Sequence, residues 1–205
     1  MNNSQADINK KIFSWAMTHN FQLIIKFHNE QRRLMKNQVV AINEKLNSCN
    51  DQHERKDLLY SKEVYINTFD SLLSINTFLM MYSYLEEFLY HVWKSFGKEQ
   101  AVSGSGSLKR FKEIIKNVLG SDLSQDREWE LLCDYEKVRD CILHTNGRVS
   151  ISKDKKDLER IIKKSCAHMS KKKDRIELSG KYLESVSNTI DSLIKRVEKA
   201  TMLDT

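Results

Sequence analysis

The stretch FLMMYSYLEEFLYHVWKSF, residues 78–96, decides the fold. It is the most apolar window of the chain, yet Glu86, Glu87, His91 and Lys94 make it too polar to span a bilayer. Its apolar residues do not alternate as a strand's would. Leu79, Tyr82, Leu85, Leu89, Val92 and Phe96 step by three or four, which is one face of a helix. Working back, Leu58, Tyr65, Phe69 and Leu72 extend that face, so a helix is expected from about Asp51 to Phe96. Further back, Ile8, Ile12, Trp15, Leu23, Ile24, Phe27, Leu34, Val39 and Ile42 predict another from about Ala6 to Leu46. A turn at Ser48-Cys49-Asn50-Asp51 would fold the two into an antiparallel hairpin. Their apolar positions keep no strict heptad, so a coiled coil is not expected.

The rest of the chain agrees with a helical reading. A chain of 205 residues and 24.1 kDa with no proline and only 6 glycines lacks the usual means of ending strands and turning corners, which excludes an all-β fold. With 40% hydrophobic and 30% charged residues it has the composition of a globular domain. The segment 101–107 is a Gly/Ser linker, followed by a helix from about Leu108 to Leu119 that stops at Gly120. Ser121, Asp122 and Ser124 offer N-caps for a helix running to about His144 and ending at Asn146-Gly147. Val149–Ile151 and Arg175–Leu178 alternate as short strands do and are expected to pair as a ribbon, with a basic helix from about Asp154 to Ala167 between them. A final helix is predicted from about Ser179 to Ala200, its buried face carrying Leu183, Val186, Ile190, Leu193, Ile194 and Val197. Residues 1–205 thus read as a single all-α domain, a helical bundle with a small β-ribbon. A long N-terminal helix occupies 1–50, and 51–205 form the core.

Several chemistries fall away. The opening MNNSQADINKK has no apolar signal core. Cys49, Cys133, Cys141 and Cys166 form neither a CxxC pair nor a ligand-spaced cluster with histidine, so no metal site is expected. The cysteines read as reduced, buried small hydrophobes in a cytoplasmic protein. No P-loop, dinucleotide fingerprint, HExxH or nucleophile elbow is present, and no cofactor is implied. Histidines 19, 28, 53, 91 and 168 read as surface residues.

Charge is unevenly placed. The chain carries a formal +6, but residues 148–175 alone hold 11 Lys/Arg against 4 Asp/Glu, so the remainder is slightly acidic. Clustered cations gain from counterion release on a polyanion. Without a partner the same run is a solvated loop and helix face.

The informative run is Val138-Arg139-Asp140-Cys141-Ile142-Leu143-His144-Thr145-Asn146-Gly147. Leu131, Tyr135, Val138 and Ile142 supply its core stripe. Asp140 and His144, four apart, share a face, where the carboxylate is expected to orient the imidazole. His144 falls in the last turn, where the helix dipole favours a cation. Arg139 lies five positions earlier, about 140° around the helix. One copy therefore does not bring both side chains onto a single phosphate, whereas two copies about a two-fold axis can.

Arg139 to His144 resembles the R-x4-6-H motif of the HEPN ribonucleases, compact helical proteins of toxin–antitoxin, abortive-infection and CRISPR-associated systems. The likeness covers about ten residues in motif and about residues 55–200 in layout: a long hairpin before the motif, a glycine-bearing turn after it and a closing amphipathic helix. The resemblance implies a metal-independent endoribonuclease with a toxin or anti-phage role, in which the RNA 2′-OH attacks its own phosphate. Products would carry a 2′,3′-cyclic phosphate and a 5′-hydroxyl. His144 would be the base and Arg139 the guanidinium on the developing charge. Asp140 stands where the family often has asparagine, and adds negative charge beside the phosphate. The resemblance further implies a homodimer with one composite site and DNA left uncut.

Around these catalytic candidates, Glu86 reads as a partly buried carboxylate needing Arg139 or His144 as partner. Asn146 is a supporting residue. Arg148, Lys163, Lys164, Lys171, Lys172 and Lys173 are the candidate RNA contacts. An antitoxin or effector protein is the expected regulatory partner, and no membrane is expected. The rival readings are a non-catalytic helical module binding a partner protein or nucleotide, and a simple helical scaffold.

Overall fold

A computed structural model describes the backbone of residues 3–96, 107–123, 125–165 and 168–203, and the side chains of 19–96, 108–123, 125–165 and 168–201. The expected linker at 101–107 lies almost wholly outside the described residues, as does the side chain of Cys166.

Helix α1 (Asn3–Ser48) runs into a short turn, and the chain returns as α2 (Gln52–Glu63), a π-helical segment (Val64–Phe69) and α3 (Asp70–Phe96). The turn is fixed by Asp51, whose carboxylate accepts from the backbone N–H of His53 (2.7 Å) and Glu54 (2.9 Å). The hairpin is closed along its length. Phe21 packs its ring 5.3 Å from that of Tyr84, His28 Nδ1 meets the Thr77 hydroxyl at 2.9 Å, and Arg32 donates to Asp70 at 3.0 Å. His28 is only 7% exposed, so it is a core residue, not the surface histidine expected from sequence.

Helix α3 is the central element, touching α1, α4 (Ser107–Leu119), α5 (Arg127–Thr145), α7 (Gly180–Leu203) and the ribbon. Its Phe78, Tyr82, Leu85 and Leu89 are fully buried, each such side chain contributing about 1.5–3 kcal/mol of hydrophobic free energy. Leu108, Phe111, Ile114 and Ile115 of α4 cover it, and Val186, Ile190, Ile194 and Val197 of α7 close the bundle. The predicted face of α7 is buried throughout, whereas Leu23, Phe27 and Leu34 of α1, Phe69 of the π-helical segment and Leu72 and Phe96 of α3, expected on buried faces, are 41–50% exposed.

Four local expectations are corrected. The N-cap of α5 is Asp126, accepting from Glu128 and Trp129 N–H at 2.9 and 3.1 Å, and neither Ser121 nor Asp122 caps it; Ser124 lies outside the described residues. Asp126 wins because its carboxylate also receives Arg196 of α7 at 2.6 Å. The ribbon pairs β2 (Arg175–Leu178) with β1 (Met169–Lys172), not with Val149–Ile151. Lys173 and Asp174, both at positive φ, make the two-residue turn that brings β1 back on β2. Val149 meets the ribbon only at its end, its N–H bonding Asp174 O before the chain turns at Val149–Ser152. Between these segments lies α6 (Lys155–Lys164), shorter than expected. Of the cysteines, Cys141 alone among those described is buried, while Cys49 and Cys133 are partly exposed.

Candidate functional site

Helix α5 ends in a sharp reversal. Asn146 adopts the left-handed conformation (φ 51°) and Gly147 follows at φ 73°, so the N–H groups of both residues return to the one carbonyl of Cys141 and end the helix there. That cap leaves His144 exposed in the final turn.

Arg139, one and a half turns earlier, lies on the α5 face that packs against α3. Its Nη2 lies 3.5 Å from Glu86 Oε2, its Nη1 donates to Asp140 Oδ1 at 2.9 Å, and its guanidinium carbon sits 5.7 Å from the Tyr82 ring centroid. Lys153 Nζ reaches the other oxygen of Asp140 at 3.2 Å. Glu86, Arg139, Asp140 and Lys153 thus form a chain of alternating charge spanning α3, α5 and the loop before α6. The side chains of Glu86, Arg139 and Asp140 are about one-fifth to one-quarter exposed, reachable from solvent but held in place. Burial weakens the Arg139 charge, but the hydrogen bond with Asp140 and the negative charges of Glu86 and Asp140 outweigh it, raising its pKa above the usual arginine value.

Arg139 is the partner of Glu86, one of the two that sequence allowed. Asp140 does not orient His144 as expected: its two oxygens go to Arg139 and Lys153. Among the described residues no hydrogen bond or ion pair joins the imidazole of His144 to another side chain. The physical reason is competition, because both Asp140 oxygens already accept from cations, Arg139 at 2.9 Å and Lys153 at 3.2 Å.

The basic run divides into two. One part fastens α6 to α5: Arg160 pairs with the buried Asp134 at 2.7 Å, Lys164 with Glu130 at 3.1 Å, and Asp157 of α6 receives Lys137 at 2.6 Å. Lys164 is therefore a structural ion pair, while Lys163 stays exposed on the same helix. The other part is the ribbon and its approach. Arg148, Lys171, Lys172 and Lys173 are all exposed, with Lys172 3.8 Å from Glu177.

Sequence reasoning passed over Tyr82 as the surface beneath Arg139; a core aromatic seven residues from Ile75 and four from Glu86 gave no sign of it. It also passed over a cleft of about 510 Å³ between the ribbon, the end of α5 and the π-helical segment with the start of α3. A run of Asn, Thr and Ser at 67–76 was the available signal.

Among the described residues, no group of three or more His, Cys, Asp or Glu side chains is arranged to hold a metal ion, and no helix is long and apolar enough to cross a membrane. Comparison with known proteins finds no family model, curated protein or solved structure that matches this chain.

Proposed function

We propose that the chain is a metal-independent endoribonuclease of the HEPN type, cutting RNA by attack of the 2′-OH on the adjacent phosphate. The observation that carries this reading is the Glu86–Arg139–Asp140 chain on the same helix end as the exposed His144, where the turn at Asn146–Gly147 leads on to the exposed Arg148. A guanidinium pre-oriented by two carboxylates offers its remaining donors to a phosphate in fixed geometry. A solvent-facing imidazole is free to take the hydroxyl proton. Their separation around the helix favours a site completed by a second copy. Leu143, four residues beyond Arg139 on α5, and Tyr90, four residues beyond Glu86 on α3, are 49% and 47% exposed and give a dimer apolar area to bury. A toxin or anti-phage role under a partner's control belongs to the same proposal.

The test is the chemistry of the cut. A single-stranded RNA should yield 2′,3′-cyclic phosphate and 5′-hydroxyl ends in EDTA, and its all-deoxy counterpart should remain whole. Cleavage of the deoxy strand would overturn the mechanism. One observation favours a second reading, a non-catalytic module binding a partner protein or nucleotide. Arg139 is already matched by two carboxylates, as a purely structural ion pair would be.

A further inference from the structure

Where the first turns of α7 run beside α1, a groove of about 820 Å³ stays open, a volume in the range of small-molecule sites. Glu86, Arg139, Asp140 and His144 do not line it. Its floor is apolar: Met81 and Leu183 are buried, and Ile25 packs against the core. Its walls are polar and change sign along the groove. Arg32 and Lys181 stand where α7 begins, and Glu184 and Asp191 lie further along that helix. Asp70 takes one edge of Arg32, and Lys195 neutralises Asp191 at 2.6 Å. Among the described residues no ion pair engages Lys181 or Glu184, so opposed charges face the groove within one turn of each other. Such a field suits a zwitterion and not a polyanion.

Three groups here have hydrogen-bonding capacity to spare. Among the described residues, the N–H groups of Gly180 and Lys181 make no hydrogen bond, because the cap, Ser179, is spent on Tyr182 and Leu183. These N–H groups open a 24-residue helix with no acidic side chain in its first turn. Arg32 gives its Nε to Asp70 at 3.0 Å, and a Cβ on Gly180 would meet its Nη1 at 2.8 Å. Glycine admits that approach, yet a cation beside the positive end of a helix is unfavourable until an anion joins them. His28, 7% exposed, bonds Thr77 through Nδ1, and its ring lines the groove with Nε2 unpartnered among the described residues.

A carboxylate satisfies the Arg32 fork and the two free N–H groups together. Glu184, four residues or about 6 Å further along α7, is within reach of an ammonium on the same small molecule. A side chain crossing Ile25 then meets Gln22, Ser187 and Asn188. We infer that this groove binds a free α-amino acid, its carboxylate at Arg32 and the start of α7 and its ammonium at Glu184. The inference does not depend on the ribonuclease reading.

The experiment screens the standard amino acids against the wild-type chain at about 10 mM each, and at least one is expected to raise Tm by about 2–4 °C. Calorimetry then compares the strongest of them with two analogues, one lacking the α-ammonium and one carrying an α-carboxamide. Each analogue should bind about tenfold more weakly, the loss of one charged contact. Glu184→Gln, at an exposed position, should cost the amino acid a similar factor and leave binding of the analogue without ammonium unchanged. Glu159→Gln, the same charge change at an exposed position of α6, should alter neither. Arg32→Gln should weaken the amino acid and spare the carboxamide, with an unchanged circular dichroism spectrum showing that the chain is folded. The inference is overturned if no amino acid raises Tm, or if the analogue without ammonium binds as tightly as its parent. Equal losses from Glu184→Gln and Glu159→Gln would overturn it as well.

Discussion

The guanidinium of Arg139 is gripped from two sides, by Glu86 and Asp140, so its planar fork is fixed before any substrate arrives. A lysine offers a single point charge and cannot span both carboxylates while facing a phosphate. Arg139→Lys is therefore predicted to lower kcat on the order of 100-fold with little change in KM, measured on a labelled RNA. Glu86→Gln keeps shape but loosens the grip, and should lower kcat by a smaller factor; equal rates for Glu86→Gln and the wild type would assign Glu86 a structural role alone. His28 gives a separate, pH-dependent prediction. Burial lowers its pKa, and Arg32 lowers it further, against a smaller opposing pull from Asp70. The unfolded chain then binds the proton more readily than the folded one below the ordinary histidine value of about 6.5, so this contribution to stability is complete above that value and is lost as pH falls through it. Replacing His28 by Gln should flatten the dependence of Tm on pH between about 5 and 7, and an unchanged slope would show that His28 is not its source. Sequence showed Arg139, His144 and Glu86 because their spacing is local. The cross-chain facts, Tyr82 under Arg139 and His28 in the core, depend on which helix lies opposite, and no local pattern carries that.

At the scale of elements, α5 is held at both ends. Asp126 caps its start and is tied to Arg196 of α7, while Glu128 accepts from Ser192 and Arg196 at 2.6 and 2.8 Å. Asp126→Ala removes the cap and one side of this tie, and a loss of about 1–2 kcal/mol in urea unfolding is expected. Gly147 holds the other end. A Cβ there meets nothing closer than Ile176 N at 3.6 Å, so the cost of Gly147→Ala comes from its positive φ, about 1–2 kcal/mol. Both substitutions should lower Tm, and Gly147→Ala should also shift His144 and so reduce cleavage beyond its effect on stability. Helix faces and the stop at Asn146-Gly147 were legible because periodicity and C-capping are properties of neighbouring residues. The ribbon was half legible: Arg175–Leu178 showed its alternation, but its partner was misassigned because Lys173-Asp174 is not one of the Asn-Gly or Asp-Gly signals that mark such turns. The α5 cap was misassigned because Asp126 is chosen by Arg196, seventy residues away.

At the scale of the whole molecule, the charge asymmetry resolves into two uses. Arg160 and Lys164 of the basic run bind α6 to α5, Lys153 reaches Asp140, and Arg148, Lys171, Lys172, Lys173 and Arg175 are exposed on the ribbon and its approach. Leu143 is 49% exposed and one turn from Arg139, and the proposed composite site would seat its second copy there. Leu143→Asp should yield a monomer by sedimentation and abolish cleavage, while leaving the circular dichroism spectrum intact. A Leu143→Asp monomer that still cuts at the wild-type rate would rule out the composite site. The account stands most directly on one measurement: cleavage of a single-stranded RNA in EDTA by the wild-type chain, His144→Ala and Arg139→Ala at equal concentration. Cutting by the wild type alone, with cyclic-phosphate ends, is the predicted result; cutting that survives both substitutions, or that EDTA stops, would contradict it.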